Sequence, residues 1–122
     1  MLIKLVDDCR EVVAGDGSLL RELLHPDKDA VKTRYSLAHA TVPPDQAAKP
    51  HRLSTAEVYY IVEGFGEMFI DDECEPVEPG SVVYIPPGAV QYIENTGDHE
   101  LVFLCIVDPA WKPSDEEVIG ES

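Results

Sequence analysis

The 122 residues carry 24 acidic against 9 basic side chains, a net charge of −15, with no cluster of lysine or arginine anywhere. That length supports one hydrophobic core and leaves no room for a second domain. Phosphate backbones and anionic membrane surfaces are repelled by such a charge, so neither a nucleic acid nor a membrane is an expected partner.

In chain order, residues 3–6 read as a first short strand. The amino terminus shows neither the cationic start nor the apolar stretch of a secretory signal, and the expectation is a cytoplasmic protein. Around residues 18–24, Leu19, Leu20, Leu23 and Leu24 fit either period, so 22–24 is a strand or part of one helical turn. From Thr33 onward, short apolar or alternating runs are cut by Pro, Gly and Asp clusters. They place strands at 34–42, 56–63, 66–70, 75–77, 81–85, 90–95 and 101–107, the pattern of a sandwich or barrel. The last run is the longest apolar stretch and is far shorter than the roughly 20 residues a membrane-spanning helix needs. Residues 113–122 are acidic, poor in large apolar groups and expected to fray, which sets a single domain at 1–112 and a tail at 113–122. Cys9, Cys74 and Cys105 are odd in number and widely spaced, and fit reduced thiols better than a disulfide framework or a zinc ribbon.

Two segments carry most of the information. In the first, His51, Leu53, Glu57 and Gly64 follow one another at fixed offsets; in the second, Gly80, Pro86, Gly88, Gln91 and Asn95 do so. Gly80 follows Pro79 at a turn that permits positive φ, and Pro86-Pro87-Gly88 cannot continue a ladder, so the chain leaves one strand there and enters another. Asn95 suits a turn whose side chain bonds the local backbone. These segments resemble the paired motifs of the cupin family, G-x5-H-x-H-x3-4-E-x6-G and G-x5-P-x-G-x2-H-x3-N. Leu53 and Gln91 stand where two of the family's histidines belong. The resemblance covers about residues 35–111 and implies an all-β fold, a double-stranded β-helix (a jelly-roll-like barrel) of two antiparallel sheets.

If Glu57 points into such a barrel, Tyr59 and Ile61 do too, and Val58, Tyr60 and Val62 face outward. A strand apolar on both faces needs cover on both, which suggests a homodimer, as the resemblance also does; the alternative is that the amino-terminal strand or the Trp111 tail folds over that face. The resemblance places Phe103 and Cys105 inside. The expected pocket is therefore His51, Glu57, Tyr59, Ile61, Gln91, Ile93, Phe103 and Cys105. Cys105 has no cation nearby in sequence to activate it and reads as a small hydrophobe.

A complete cupin site converges imidazoles and a carboxylate on one divalent ion, a set suited to Fe, Mn, Ni, Cu or Zn. Here His51, Glu57 and Gln91 would be the ligands, with His39 on the preceding strand as a further nitrogen. Without a metal, Glu57 should have a raised proton affinity and act as a general acid or base with His51. Two functions follow. One is a ligand-binding or sensing module with a degenerate metal site, taking a small polar organic molecule; the other is a metal-dependent enzyme, a dioxygenase or isomerase, acting on a small oxygenated substrate. His25 and His99 lie in expected surface loops without a role, and Tyr92 and Trp111 are undecided. Residues 63–67 read as a hairpin turn and 71–73 as a solvated one, not as phosphate or calcium loops.

Overall fold

The computed structural model describes residues 1–120 and is built almost wholly of antiparallel strands. They are β1 (Glu11–Val13), β2 (Leu19–Leu24), β3 (Ser36–Val42), β4 (His51–Leu53), β5 (Ala56–Glu63), β6 (Gly66–Ile70), β7 (Glu73–Val77), β8 (Val82–Ile85), β9 (Gln91–Asn95), β10 (Leu101–Asp108) and β11 (Glu116–Val118). A six-stranded sheet runs β1-β2-β3-β10-β5-β8, and a five-stranded sheet runs β11-β4-β9-β6-β7. This is the two-sheet barrel expected from the motifs. No helix among the described residues is long and apolar enough to cross a membrane.

Period-two alternation builds the core. On β5, Glu57, Tyr59 and Ile61 are buried while Tyr60 is exposed; on β10, Leu101, Phe103, Cys105 and Val107 are buried. From the facing sheet, Met68 and Ile93 complete the cluster. Turn chemistry matches the motif reading: Gly80 and Gly88 have φ of +93° and +83°, a region where any Cβ is strained. Asn95 ties three segments together, donating from Nδ2 to the carbonyls of Val42 (2.9 Å) and His99 (2.8 Å) and accepting at Oδ1 from the Gly97 amide (2.9 Å).

Several expectations are corrected. Residues 3–6 form no strand; Ile3 and Leu5 are exposed and the chain makes a 3-10 turn at Val6–Asp8. The leucine-rich segment is a strand over its whole length, because β3 offers it a ladder from Leu19 to Leu24. The carboxy-terminal segment does not fray at 116–118: β11 pairs with β4, Glu116 opposite Leu53 and Val118 opposite His51, and residues 121–122 lie outside the described part. His25 is not a surface residue. It is 4% exposed, with Nδ1 accepting from the Asp27 amide and Nε2 donating to the Trp111 carbonyl. Trp111 lies against the barrel mouth, so the tail does not cover the outward face of β5.

Candidate functional site

A cavity of about 480 Å³ opens between the sheets at the end where β4, β5 and β10 meet the β1–β2 turn and β11. Its floor is mostly apolar, with Ala38 and Ala40 from β3, Leu53 from β4 and Phe103 from β10. Tyr59 packs on Phe103 with ring centroids 4.6 Å apart. Into this apolar space the strands deliver two ionisable side chains, His51 from β4 and Glu57 from β5, 4% and 6% exposed. Their positions follow from alternation: the short β4 buries His51 and Leu53 and turns Arg52 out.

Behind Glu57 a hydrogen-bond chain is closed. The Tyr59 hydroxyl donates to Gln91 Oε1 (2.9 Å), and Gln91 Nε2 donates to Glu57 Oε1 (2.8 Å). Gln91 is wholly buried, and these two partners fix the orientation of its amide. Glu57 Oε2 has no hydrogen-bond partner among the described residues, and Glu57 belongs to the cavity wall. Burial is the main reason the Glu57 carboxyl is pushed up to about 8; the Gln91 bond opposes this, and the Asp16 and Glu116 carboxylates add to it. At neutral pH the side chain is mainly the uncharged acid.

His51 is oriented from behind as well. Its Nδ1 lies 2.7 Å from the Lys49 carbonyl oxygen, which can only accept, so Nδ1 carries the proton. The other ring nitrogen, Nε2, is turned to the cavity, 3.7 Å from Asp16 Oδ2. Asp16 is held in turn by an Asx turn, its Oδ1 accepting from the Ser18 amide (3.0 Å) and hydroxyl (2.6 Å). At the mouth, Trp111 Nε1 donates to Glu116 Oε1 (2.9 Å).

Of the residues expected in the pocket, His51, Glu57, Tyr59, Phe103 and Cys105 line the cavity. Gln91, Ile61 and Ile93 are buried beneath it, Gln91 as the clamp on Glu57 and the two isoleucines as core. His39 is not part of the site. Ala38 and Ala40 take the inward positions of β3, and His39 lies on the opposite face beside Val62 and Glu63. Tyr92 likewise points away, stacked on Phe69 with centroids 4.3 Å apart. The Cys105 thiol is pushed well up, first by burial and then by Glu57 and Asp16, which leaves it a packing residue. Asp16 and Glu116 were missed, because they come from a turn and a three-residue strand that carry no periodicity. The one available signal was the Gly15-Asp16-Gly17-Ser18 turn chemistry.

A family model described as a cupin domain matches residues 38–107, more than half of the chain. The chain belongs to the cupin family. This cupin is 40% identical over 115 residues to an uncharacterised protein of Methanocaldococcus jannaschii, covering 93% of this chain and 90% of that one. It is 31% identical over 97 residues to the glucose-6-phosphate isomerase of Thermococcus onnurineus, covering 75% of this chain and 47% of the isomerase. The cupin thus spans about half the length of the isomerases it matches. Among solved structures, a cupin 2 conserved barrel domain protein of Salinispora arenicola superposes with a TM-score of 0.78 at 20% identity, over 93% of this chain and 91% of that one, a likeness of fold.

The cupin's own residues do not fit the divalent metal that the motif resemblance implies. Leu53 has no lone pair, Gln91 Oε1 is occupied by Tyr59, and His39 lies on the other face. Among the described residues, no group of three or more His, Cys, Asp or Glu side chains is placed to hold an ion.

Proposed function

We propose that this cupin binds a small polar organic molecule in the barrel without a metal, with His51 and Glu57 as its principal polar contacts. The observation that carries this reading is a pair of buried side chains, His51 and Glu57, that turn Nε2 and Oε2, each without a hydrogen-bond partner among the described residues, onto a mostly apolar cavity. Convergent polar groups in an apolar cavity describe a small-molecule site. An uncharged Glu57 carboxyl offers a donor and, in the neutral imidazole, His51 Nε2 offers an acceptor, a pair that suits a hydroxyl or carbonyl group.

The second reading is a metal-dependent isomerase or dioxygenase acting on a small oxygenated substrate, and the isomerase form of it draws on the 31% identity to glucose-6-phosphate isomerase. One measurement separates the two: elemental analysis of protein purified without chelator, beside the His51→Ala/Glu57→Ala variant. Substoichiometric metal in both supports the metal-independent pocket. A stoichiometric transition metal that disappears in the variant would overturn it in favour of the enzyme.

We also propose that the cupin is a homodimer in the cytoplasm. Support comes from the outer face of the six-stranded sheet, where Tyr60, Val62, Val82, Tyr84 and Ile106 are all exposed.

A further inference from the structure

We propose that the ligand carries an amine, its ammonium group seated at the mouth against the Asp16 and Glu116 carboxylates and the His51 imidazole, on a small hydroxylated skeleton that reaches Glu57. This rests on the reading of the cavity as a small-molecule site and adds the charge of its occupant.

The hydrogen-bonding inventory of the mouth points one way. Asp16 has Oδ1 engaged by Ser18, while Oδ2 has no hydrogen bond among the described residues and lies 3.7 Å from His51 Nε2. In Glu116, Oε1 is engaged by Trp111, and Oε2 lies against Gly15, where a Cβ would stand only 2.7 Å from it. Gly15 therefore lets the β1–β2 turn, with Asp16 as the next residue, close onto Glu116. In the neutral imidazole His51 Nε2 is the acceptor, since Nδ1 donates to the Lys49 carbonyl. With a neutral imidazole, two carboxylates and one ring nitrogen accept at the mouth, and an ammonium group supplies three donors.

Charge points the same way. Among the described residues, the cavity has no lysine or arginine in its interior: Lys28 is spent on Glu22 at 2.7 Å, and Arg10 is exposed at the rim. Asp16 and Glu116 both act on Glu57 through space, so an anion seated there would meet the same field. The chain's net charge of −15 opposes anions from further out and attracts cations. His51 and Glu57, both more than nine-tenths buried and aimed into the same space, show that this is a built site and not a solvated acidic patch.

A cation beside Glu57 also favours its ionised form. Binding of an amine at pH 7 should therefore release a proton from Glu57, and binding of a neutral polyol should not.

The test is isothermal titration of the intact protein, in EDTA, with glucosamine, glucose and glucose 6-phosphate, each in two buffers of different ionisation enthalpy. Glucosamine should bind about tenfold tighter than glucose, as charge-assisted bonds require, with proton release only for glucosamine. Glucose 6-phosphate should bind more weakly than either. Asp16→Asn and Glu116→Gln, both isosteric, should each bring the glucosamine-to-glucose affinity ratio toward one. Phosphate-bearing sugar bound as tightly as glucosamine, a preference unchanged in both variants, or binding that requires added divalent ions would overturn the inference while leaving the pocket a small-molecule site. Binding of none of the three would overturn the site reading itself.

Discussion

Glu57 ties the chemistry of the pocket to the stability of the fold. Its carboxyl has an ordinary value of 4.5 and is raised to about 8 by burial, with only the Gln91 amide in opposition. Between those values the folded chain keeps a proton that the unfolded chain has released. Stability contributed at this residue therefore falls as pH rises from about 4.5 to about 8, by up to roughly 1.4 kcal/mol per unit, and is level above that window. Glu57→Gln keeps the acceptor for Gln91 and cannot ionise. Its Tm relative to wild type should climb between pH 5 and pH 8 and then hold constant in thermal melts. A difference that does not change with pH would mean that Glu57 is ionised in the fold. This residue and His51 were legible from the cupin-like motif spacing, the inward position of Tyr59 followed from strand alternation relative to Glu57, and those of Phe103 and Cys105 came from the family resemblance. Asp16 and Glu116 were not legible, because their approach to His51 and Glu57 depends on which strands pair across the barrel. The face of His39, a possible further ligand by sequence, was not legible for a related reason: alternation puts Tyr35, Leu37, His39 and Thr41 on one face, and only the packing of Ala38 and Ala40 tells which face is inside.

Among the elements, length decided what the sequence could reveal. The eight-residue β5 and five-residue β6 were read to the residue, while β1, β4 and β11 have three residues each and show too little of a period to be seen. Those three short strands build the mouth of the cavity. They are held by contacts between distant segments, of which the His25 latch is the clearest. His25 Nε2 donates to the Trp111 carbonyl at 2.8 Å, the Trp111 amide donates to Ser36 Oγ at 2.9 Å, and the Ala110 amide donates to the Arg34 carbonyl at 2.7 Å. His25→Ala would remove the partners of the Trp111 carbonyl and the Asp27 amide, a loss of about 0.5–1.5 kcal/mol for each bond. The expected outcome in hydrogen-exchange mass spectrometry is faster exchange across residues 111–118, with β5 and β10 unchanged. Unaltered exchange in that segment would show that β4 alone holds the tail through its pairing with β11.

For the whole molecule, the apolar outer face and the net charge pull against each other. Tyr60 on β5 pairs with Val82 on β8, Val58 with Tyr84, and Ile106 on β10 with Val58, so the exposed side chains form one continuous patch across three neighbouring strands. β8 is also the free edge of its sheet, and an apolar edge strand is a surface that natural proteins cover or pair. Two chains of −15 each repel one another, and salt weakens that repulsion while leaving apolar burial intact. Screening shortens from roughly 10 Å at 0.1 M salt to roughly 3 Å at 1 M. Light scattering should therefore report two chains per particle, with a dissociation constant that tightens as salt is raised. Tyr84→Glu places a charge in the middle of the patch and should yield single chains at low salt, with ligand binding retained because Tyr84 is remote from the cavity wall. A single chain at every salt concentration would remove the dimer, and an association that weakens with salt would mean that ion pairs, not this apolar face, hold the copies together.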